Sequence, residues 1–577
     1  MKRILTIASL FFFLLPLQAQ VATVEVSRPY DVNLDGIRKP AIPISIDDSL
    51  HRFDVHFDYS IFNRPCSDLY DFTPYESIQL STVGANRTPF VYGRFGAQYA
   101  PGDKGVLPAG ELYLQTKPRK GFCSGLYGRH NSFFGYLNDG YLKTGRMQNT
   151  VGGDLTYDWS TGELMFDVKY DFDQYKYTGV ADDYSVYGVP TSLHKNNSLS
   201  AAFNLNSAQK EANTIYYDVT LSYRNTQKNF TFDTQSGNSP LEGVNKLREG
   251  FLTVGGYVGA TFDIHRIYIN MNIEYASYNG VHDFNIGLVE FSPIYQLHRK
   301  WLDAKLGVKF GSRYGIAGEI AEPGLDLSAR SSIFPDVDVR FTLIDKALWA
   351  HAVVTGGNDL NTYSRMIDDC PIVVPTSTMD FGSRPIDATL SLESVIGGRL
   401  GINLEGNYKI FRNKMIFIPV YDGTGITQMT ALYRNVNQFS AQAEVLWRSQ
   451  DVTVGGRFRY ASYRDSYEKT VVTEMPKFTG YGFVRYNFRE RLITQLECTY
   501  RSGTSGLMAN LSGDAAMDGY MYSVPPIVDL DLNVNFLVNK YLSVFAKVGN
   551  ILGHRNEYMP LYMEPGRNFG AGICLNF

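Results

Sequence analysis

Residues 164–173 read Leu164-Met165-Phe166-Asp167-Val168-Lys169-Tyr170-Asp171-Phe172-Asp173. Leu164, Phe166, Val168, Tyr170 and Phe172 fall on one parity, while Asp167, Lys169, Asp171 and Asp173 fall on the other. Side chains of a β-strand point to opposite faces at a period of two, so this stretch is a strand with one apolar and one charged face. The pattern recurs along the chain from about residue 90. Ile267, Ile269, Met271, Ile273 and Tyr275 alternate with Tyr268, Asn270, Asn272 and Glu274. Val337, Val339, Phe341 and Leu343 alternate with Asp336, Asp338, Arg340 and Thr342. Val528, Leu530, Leu532, Val534 and Phe536 alternate with Asp529, Asp531, Asn533 and Asn535.

A soluble sandwich would alternate in the same way, so the connections carry the distinction. Tight turns are expected near Trp159–Gly162, Asp263–Arg266, His298–Lys300, Asp345–Lys346, Arg489–Arg491 and Val538–Lys540. Between them lie long polar stretches, at about 179–196, 225–249, 313–330, 356–385, 413–436, 464–476, 502–525 and 553–567. Short and long connections in turn are what an up-and-down transmembrane barrel shows, with short turns on the periplasmic side and long loops outside. The spacing predicts an all-β, antiparallel transmembrane barrel of about 22 strands, give or take about four. An even count puts both termini in the periplasm.

The chain stops inside a strand. Phe569, Ala571, Ile573, Leu575 and Phe577 alternate with Asn568, Gly570, Gly572, Cys574 and Asn576. A last amphipathic strand ending in Phe is a signal for barrel-assembly machinery, carried here by Phe569, Ile573, Leu575 and Phe577. Closure then follows from physics. An unpaired backbone group in hydrocarbon costs several kcal/mol, so an open sheet edge is not viable and a closed barrel is.

Composition agrees. The 577 residues include 40 Tyr, 36 Phe, 4 Trp and 53 Gly, with a net charge of −4. Near-neutral charge gives no reason to expect a nucleic-acid partner. Lys2 and Arg3 followed by apolar Ile4–Leu17 read as a signal peptide over residues 1–19. No other apolar run is long enough to span a bilayer as a helix. The five cysteines, Cys66, Cys123, Cys370, Cys498 and Cys574, show neither CxxC nor metal spacing and are expected to be free thiols.

The last fifty residues resemble the C-terminal strands of TonB-dependent receptors. The resembling residues are Phe545-Ala546-Lys547-Val548-Gly549-Asn550-Ile551-Leu552, then Tyr558, Tyr562 and Pro565-Gly566-Arg567-Asn568-Phe569, closing on Phe577. Those receptors carry a plug of well over a hundred residues before the barrel. Only about seventy separate the signal peptide from the first strand here, and Val21–Val26 shows no energy-coupling box. The chain therefore resembles the plug-less, receptor-like barrels of Bacteroidota. The resemblance implies barrel architecture and membrane location, and does not imply energised transport.

Residues 20–89 read as a periplasmic or lumenal extension before a barrel over 90–577. Pro29, Pro40 and Pro43 favour extended chain, and Phe53, Val55, Phe57 and Tyr59 alternate. A barrel of this size has a wide lumen. The candidates to fill it are the extension, inward-folded loops, or a partner protein.

Chemistry-bearing clusters are few. His51, Asp54, His56 and Asp58 are read as a polar strand face rather than a metal site. Asp182-Asp183 and Asp368-Asp369 are read as solvated loop charge, since no calcium-loop spacing surrounds them. Asn86-Arg87-Thr88 matches a glycosylation sequon by coincidence. Asp167, Lys169, Asp171, Asp173, Asp336, Asp338, Arg340, Asp529 and Asp531 are expected to face the lumen, as solute path or polar filler. No nucleophile elbow or phosphate-cradling loop appears, so no enzyme, cofactor or metal is expected. The expected partners are membrane lipid, the assembly machinery, and other outer-membrane or periplasmic proteins. The role that follows is a structural or accessory subunit of an outer-membrane assembly. The alternative is a passive or partner-gated nutrient channel.

Overall fold

The computed structural model describes residues 91–577 apart from 117–118, 120, 138–141, 178–190, 208–214, 234–245, 281–282, 316–330, 375–376, 378, 422–425, 490, 511–520 and 560–561. The signal peptide, the 20–89 extension, the His51–Asp58 cluster, Asp182-Asp183 and the sequon lie outside the described residues.

The strands follow in chain order. They are β1 (Val91–Ala100), β2 (Gly105–Gln115), β3 (Phe122–Leu137), β4 (Leu142–Trp159), β5 (Gly162–Tyr177), β6 (Thr191–Ser207), β7 (Ile215–Asp233), β8 (Lys246–Phe262) and β9 (His265–Gly280). Then come β10 (Asn285–Arg299), β11 (Leu302–Tyr314), β12 (Ser331–Ile344), β13 (Leu348–Leu360), β14 (Phe381–Ile396), β15 (Leu400–Tyr421), β16 (Ile426–Arg448), β17 (Val452–Asp465), β18 (Phe478–Phe488) and β19 (Leu492–Arg501). Short strands β20 (Thr504–Leu507), β21 (Ala509–Asn510) and β22 (Met521–Val524) precede β23 (Ile527–Asn539) and β24 (Leu542–Gly549). A small hairpin of β25 (Glu557–Met559) and β26 (Tyr562–Met563) precedes β27 (Asn568–Asn576). One helix, α1 (Tyr363–Asp369), stands between β13 and β14.

Twenty-two of these strands, β1–β19 with β23, β24 and β27, form one closed antiparallel barrel. The ring shuts where β27 pairs with β1, from Tyr92↔Asn576 to Tyr99↔Phe569. The terminal residue takes part: Phe577 N–H donates to Val91 O at 2.9 Å. The tight turns expected from sequence all lie at one end, with Phe577. The strand ends that flank the long connections lie at the other.

The outward face is apolar. Leu126, Val151, Leu199, Ile269, Leu390 and Leu404 are among the large side chains it exposes. Aromatic residues gather toward the short-turn rim, where Tyr157 stacks on Trp159, Trp301 on Phe341 and Tyr541 on Phe577. An apolar band with aromatic borders is the surface a bilayer selects.

Two expected loops are strand. Residues 413–436 read as a long connection, yet β15 and β16 run through most of it, and 225–249 is shortened by β7 and β8 in the same way. In β15 the strand passes through a bulge. The β15–β16 register shifts between Phe411 and Lys414, and Asn413 takes φ 60°. Past it, Ile416-Phe417-Ile418-Pro419-Val420 is buried on both faces, so the period-two signal vanishes. Phe417 packs with Met366 and Ile372 in one cluster. Ile416 packs with Val472 and Met475, and Ile418 with Met508 and Tyr522. The hairpin tip is therefore wedged between α1 and the connections that follow β17 and β19.

Candidate functional site in the lumen

The described residues of the segment 361–380 fold into the barrel. The residues around α1 are apolar for an outer loop, and Tyr363, Met366, Ile367, Cys370, Ile372 and Val373 are all buried. They pack on Leu247, Phe251, Ala276, Tyr278, Ile286 and Leu288 of β8–β10 and on Met429 of β16. Val373 forms a parallel bridge with Met429, and Tyr363 Oη donates to Val373 O at 3.0 Å.

Polar clamps from four strands hold it. Glu249 of β8 caps the helix, accepting from Tyr363 N–H at 2.6 Å and Ser364 N–H at 3.1 Å. The Thr362 side chain caps Arg365 N–H. A carboxylate at a helix N-terminus answers both the free N–H groups and the dipole. Arg365 makes a two-point pair with Glu274 of β9, at 2.9 and 2.7 Å. Arg224 of β7 makes another with Asp368, at 2.6 and 2.8 Å, while its Nε donates to Ser198 Oγ at 2.7 Å. Lys228 Nζ and Asn196 Nδ2 both donate to Pro371 O, at 2.7 and 3.3 Å. The expectation of solvated charge at Asp368 needs correction: the carboxylate remains open to the lumen but is held by Arg224, 144 positions away.

A cavity of about 350 Å³ lies beside α1. Lys169, Asp171 and Asp173 line it, facing Ile367 and Asp368 of the helix. Asn196, Ser198, Ser200, Arg224 and Thr226 supply the rest of the wall. The other residues singled out from sequence stand elsewhere. Asp167 accepts from Tyr127 Oη at 2.8 Å. Asp336 accepts from Ser292 Oγ at 2.6 Å. Asp338 is bound by Lys305 at 3.0 Å and His351 at 2.8 Å, and Arg340 pairs with Glu393 at 2.9 Å. Asp531 pairs with Lys547 at 3.0 Å, and Asp529 stands opposite Thr499. Sequence reasoning passed over Arg224, Lys228, Glu249, Glu274 and Arg365. One signal was present: Cys370-Pro371-Ile372-Val373-Val374 is an apolar run inside a supposed outer loop.

Cys123, Cys370, Cys498 and Cys574 are free thiols, and Cys66 lies outside the described residues. Burial pushes the Cys370 thiol well above its ordinary range. No group of three or more His, Cys, Asp or Glu residues is placed to hold a metal ion among the described residues.

No protein-family model matches the sequence, and no curated protein does either. Solved structures match over most of their length. The siderophore receptor PirA from Acinetobacter baumannii aligns at TM-score 0.60 and 11% identity, covering 85% of this chain and 81% of its own. The FrpB iron transporter from Neisseria meningitidis aligns at 0.61 and 10%, covering 84% and 81%. Copper transporter OprC aligns at 0.56 and 10%, covering 84% and 82%. The closed 22-strand barrel of this chain is the fold these structures share with it. At this identity the likeness carries architecture alone, so what this barrel does with its lumen has to be argued from its own residues.

Proposed function

We propose that the chain is an integral outer-membrane protein of a Gram-negative cell that passes solute through a lumen gated by its own 361–380 segment. The observation that carries this reading is the docking of α1 inside the barrel by polar clamps on β6, β7, β8 and β9. The Arg224–Asp368 and Arg365–Glu274 pairs each keep one partner open to lumen water and can be exchanged for it, while both ends of the segment stay tethered to the wall. The neighbours' descriptions as receptors and transporters agree with transport and name no enzyme. The short-turn end, with both barrel termini, faces the periplasm on this reading, and the lipid and assembly-machinery contacts expected from sequence follow from the location. The accessory-subunit role has no observation in its favour.

Conductance across a planar bilayer tests the gate. The full chain is expected to pass little current. Replacing 363–374 by a Gly-Ser linker is expected to open a large, steady conductance. An unchanged current after the replacement would show that the segment is not the barrier.

Proton uptake gives a second prediction. Enclosure in the lumen, with Asp368 beside it, pushes the Asp369 carboxyl up to about 6. A released segment returns it to about 3.9. The docked form holds the proton more tightly, so its extra stability is present below about pH 4 and lost as pH rises through about 6. Openings should be rarer at about pH 5 than at about pH 7.5, and Asp369→Asn should flatten the difference. Asp369 keeps part of its surface on lumen water, so the change is a few-fold. More openings at the lower pH would contradict this assignment.

A further inference from the structure

The cavity beside α1 is built on a cross-strand grid. Asp173 lies opposite Asn196, Asp171 opposite Ser198, and Lys169 opposite Ser200. On the next strand Thr226 lies opposite Ser198, and Arg224 opposite Ser200. The charges are paired with one exception. Lys169 stands 3.8 Å from Asp171, and Arg224 is engaged by Asp368. Asp173 has no ion-pair partner within 4.0 Å among the described residues. Lys228, two strands away, donates to Pro371 O, and Glu249 is committed to the helix cap.

Among the described residues three oxygens of this wall have no protein partner: Oδ1 of Asn196, Oγ1 of Thr226 and Oγ of Ser200. Asn196 is 4% exposed and Thr226 1%. A buried polar atom left unpaired costs about 1–3 kcal/mol, so acceptors of this kind favour a ligand that brings donors. At the other end of the grid, a guanidinium that grips a carboxylate at two points already holds one, supplied by α1. Asp368 occupies the place a solute carboxylate would take.

We propose that the cavity binds a small zwitterionic solute of dipeptide size. Its carboxylate takes Arg224 from Asp368, and its ammonium sits on Asp173 with the free oxygens of Asn196 and Thr226. Asp173 and Arg224 stand two strands and four residues apart, roughly 17 Å between Cα atoms at about 4.8 Å per strand and 3.4 Å per residue, and both side chains line the one cavity, so their inward reach together with an extended dipeptide of about 7 Å spans it. Binding breaks one clamp on α1, so the solute opens its own path. This last step rests on the gate proposed above, whereas the binding itself does not.

The test is calorimetry on the full chain in detergent, with L-alanyl-L-alanine as probe. Its C-terminal amide, its N-acetyl form and maltose serve as comparisons. Saturable binding is expected for the free dipeptide alone. Arg224→Gln and Asp173→Asn should each weaken it by roughly tenfold or more. Asp368→Asn, which removes the internal competitor, should tighten it. Thr226→Val deletes one hydroxyl and should weaken binding without threatening the fold, which heat-modifiable gel migration checks for every variant. Equal binding of the amide or of maltose overturns the proposal. So does an absence of binding in both the unaltered protein and Asp368→Asn. Dipeptide binding with no effect on bilayer current would keep the site and remove its hold on the gate. A conductive linker variant with no dipeptide binding would keep the gate and remove the site.

Discussion

A barrel carrying Glu249→Ala is expected to conduct in bursts where the unaltered protein stays closed, with its Cys370 thiol opened to maleimide. Glu249 is 1% exposed and accepts from two helix N–H groups, at 2.6 and 3.1 Å. Hydrogen bonds to a charged group are worth about 1.5–3 kcal/mol each, and their loss leaves the N–H groups without a partner in an apolar surround. A helix of seven residues cannot hold itself together, since isolated helices are marginal below about 12–15 residues. A net loss of about 3 kcal/mol would raise the released population roughly 10²-fold at 1.4 kcal/mol per decade. Cys370 reports the event because it is 0% exposed when α1 is docked. Its thiol is also held protonated there by burial. Cys123 and Cys574 stay buried in the wall, Cys66 and the exposed Cys498 are replaced by Ser in every protein compared, and Cys370→Ser identifies the labelled residue. Glu393→Ala, which breaks only the exposed pair with Arg340, should change neither reading. Continued protection of Cys370 with unchanged current in Glu249→Ala would mean that α1 is a permanent part of the core.

The barrel was legible where one face meets lipid and the other meets water, and illegible where both faces are covered. Residues 164–173 keep a period of two because Phe166 and Tyr170 point outward while Lys169, Asp171 and Asp173 line the cavity. Ile416–Val420 has no period because each face of that hairpin tip has a protein cluster against it. Helix α1 escaped for a different reason. Nothing within 361–380 specifies the lumen as its place. The specification lies in Glu249, Glu274 and Arg224, which are 114, 91 and 144 positions from their partners. Each of those residues reads locally as one more polar position on an inward face. The same holds for the cavity: the alternation named Lys169, Asp171 and Asp173, but only the register of β5, β6 and β7 sets Asn196, Thr226 and Arg224 beside them.

Gly572→Val should abolish the closed barrel, and its effect should exceed that of any lumen substitution. Gly572 on β27 pairs with Gly96 on β1, at the seam where the last strand meets the first. The Phe545 ring lies across both glycines, and Arg94 stands over that ring at 4.5 Å from its centre. A Cβ on Gly572 would come within 2.2 Å of Phe95 O and 2.3 Å of the Phe545 ring. The ring can turn aside, but the carbonyl belongs to the ladder that closes the barrel. Overpacking alone costs about 1–3 kcal/mol. A parted seam adds several kcal/mol for each backbone group left unpaired in hydrocarbon. The β27–β1 pairing joins the two ends of the barrel chain, so the loss falls on closure itself. The measurement is the fraction migrating as a heat-modifiable species on an unboiled gel. Gly406→Ala is the control, since a Cβ there meets nothing within 4 Å on a strand of the same barrel. Near-normal closure of Gly572→Val beside a normal Gly406→Ala would show that the seam can shift to accept bulk. The glycine pair under Phe545 would then be a packing preference and not a condition for the fold.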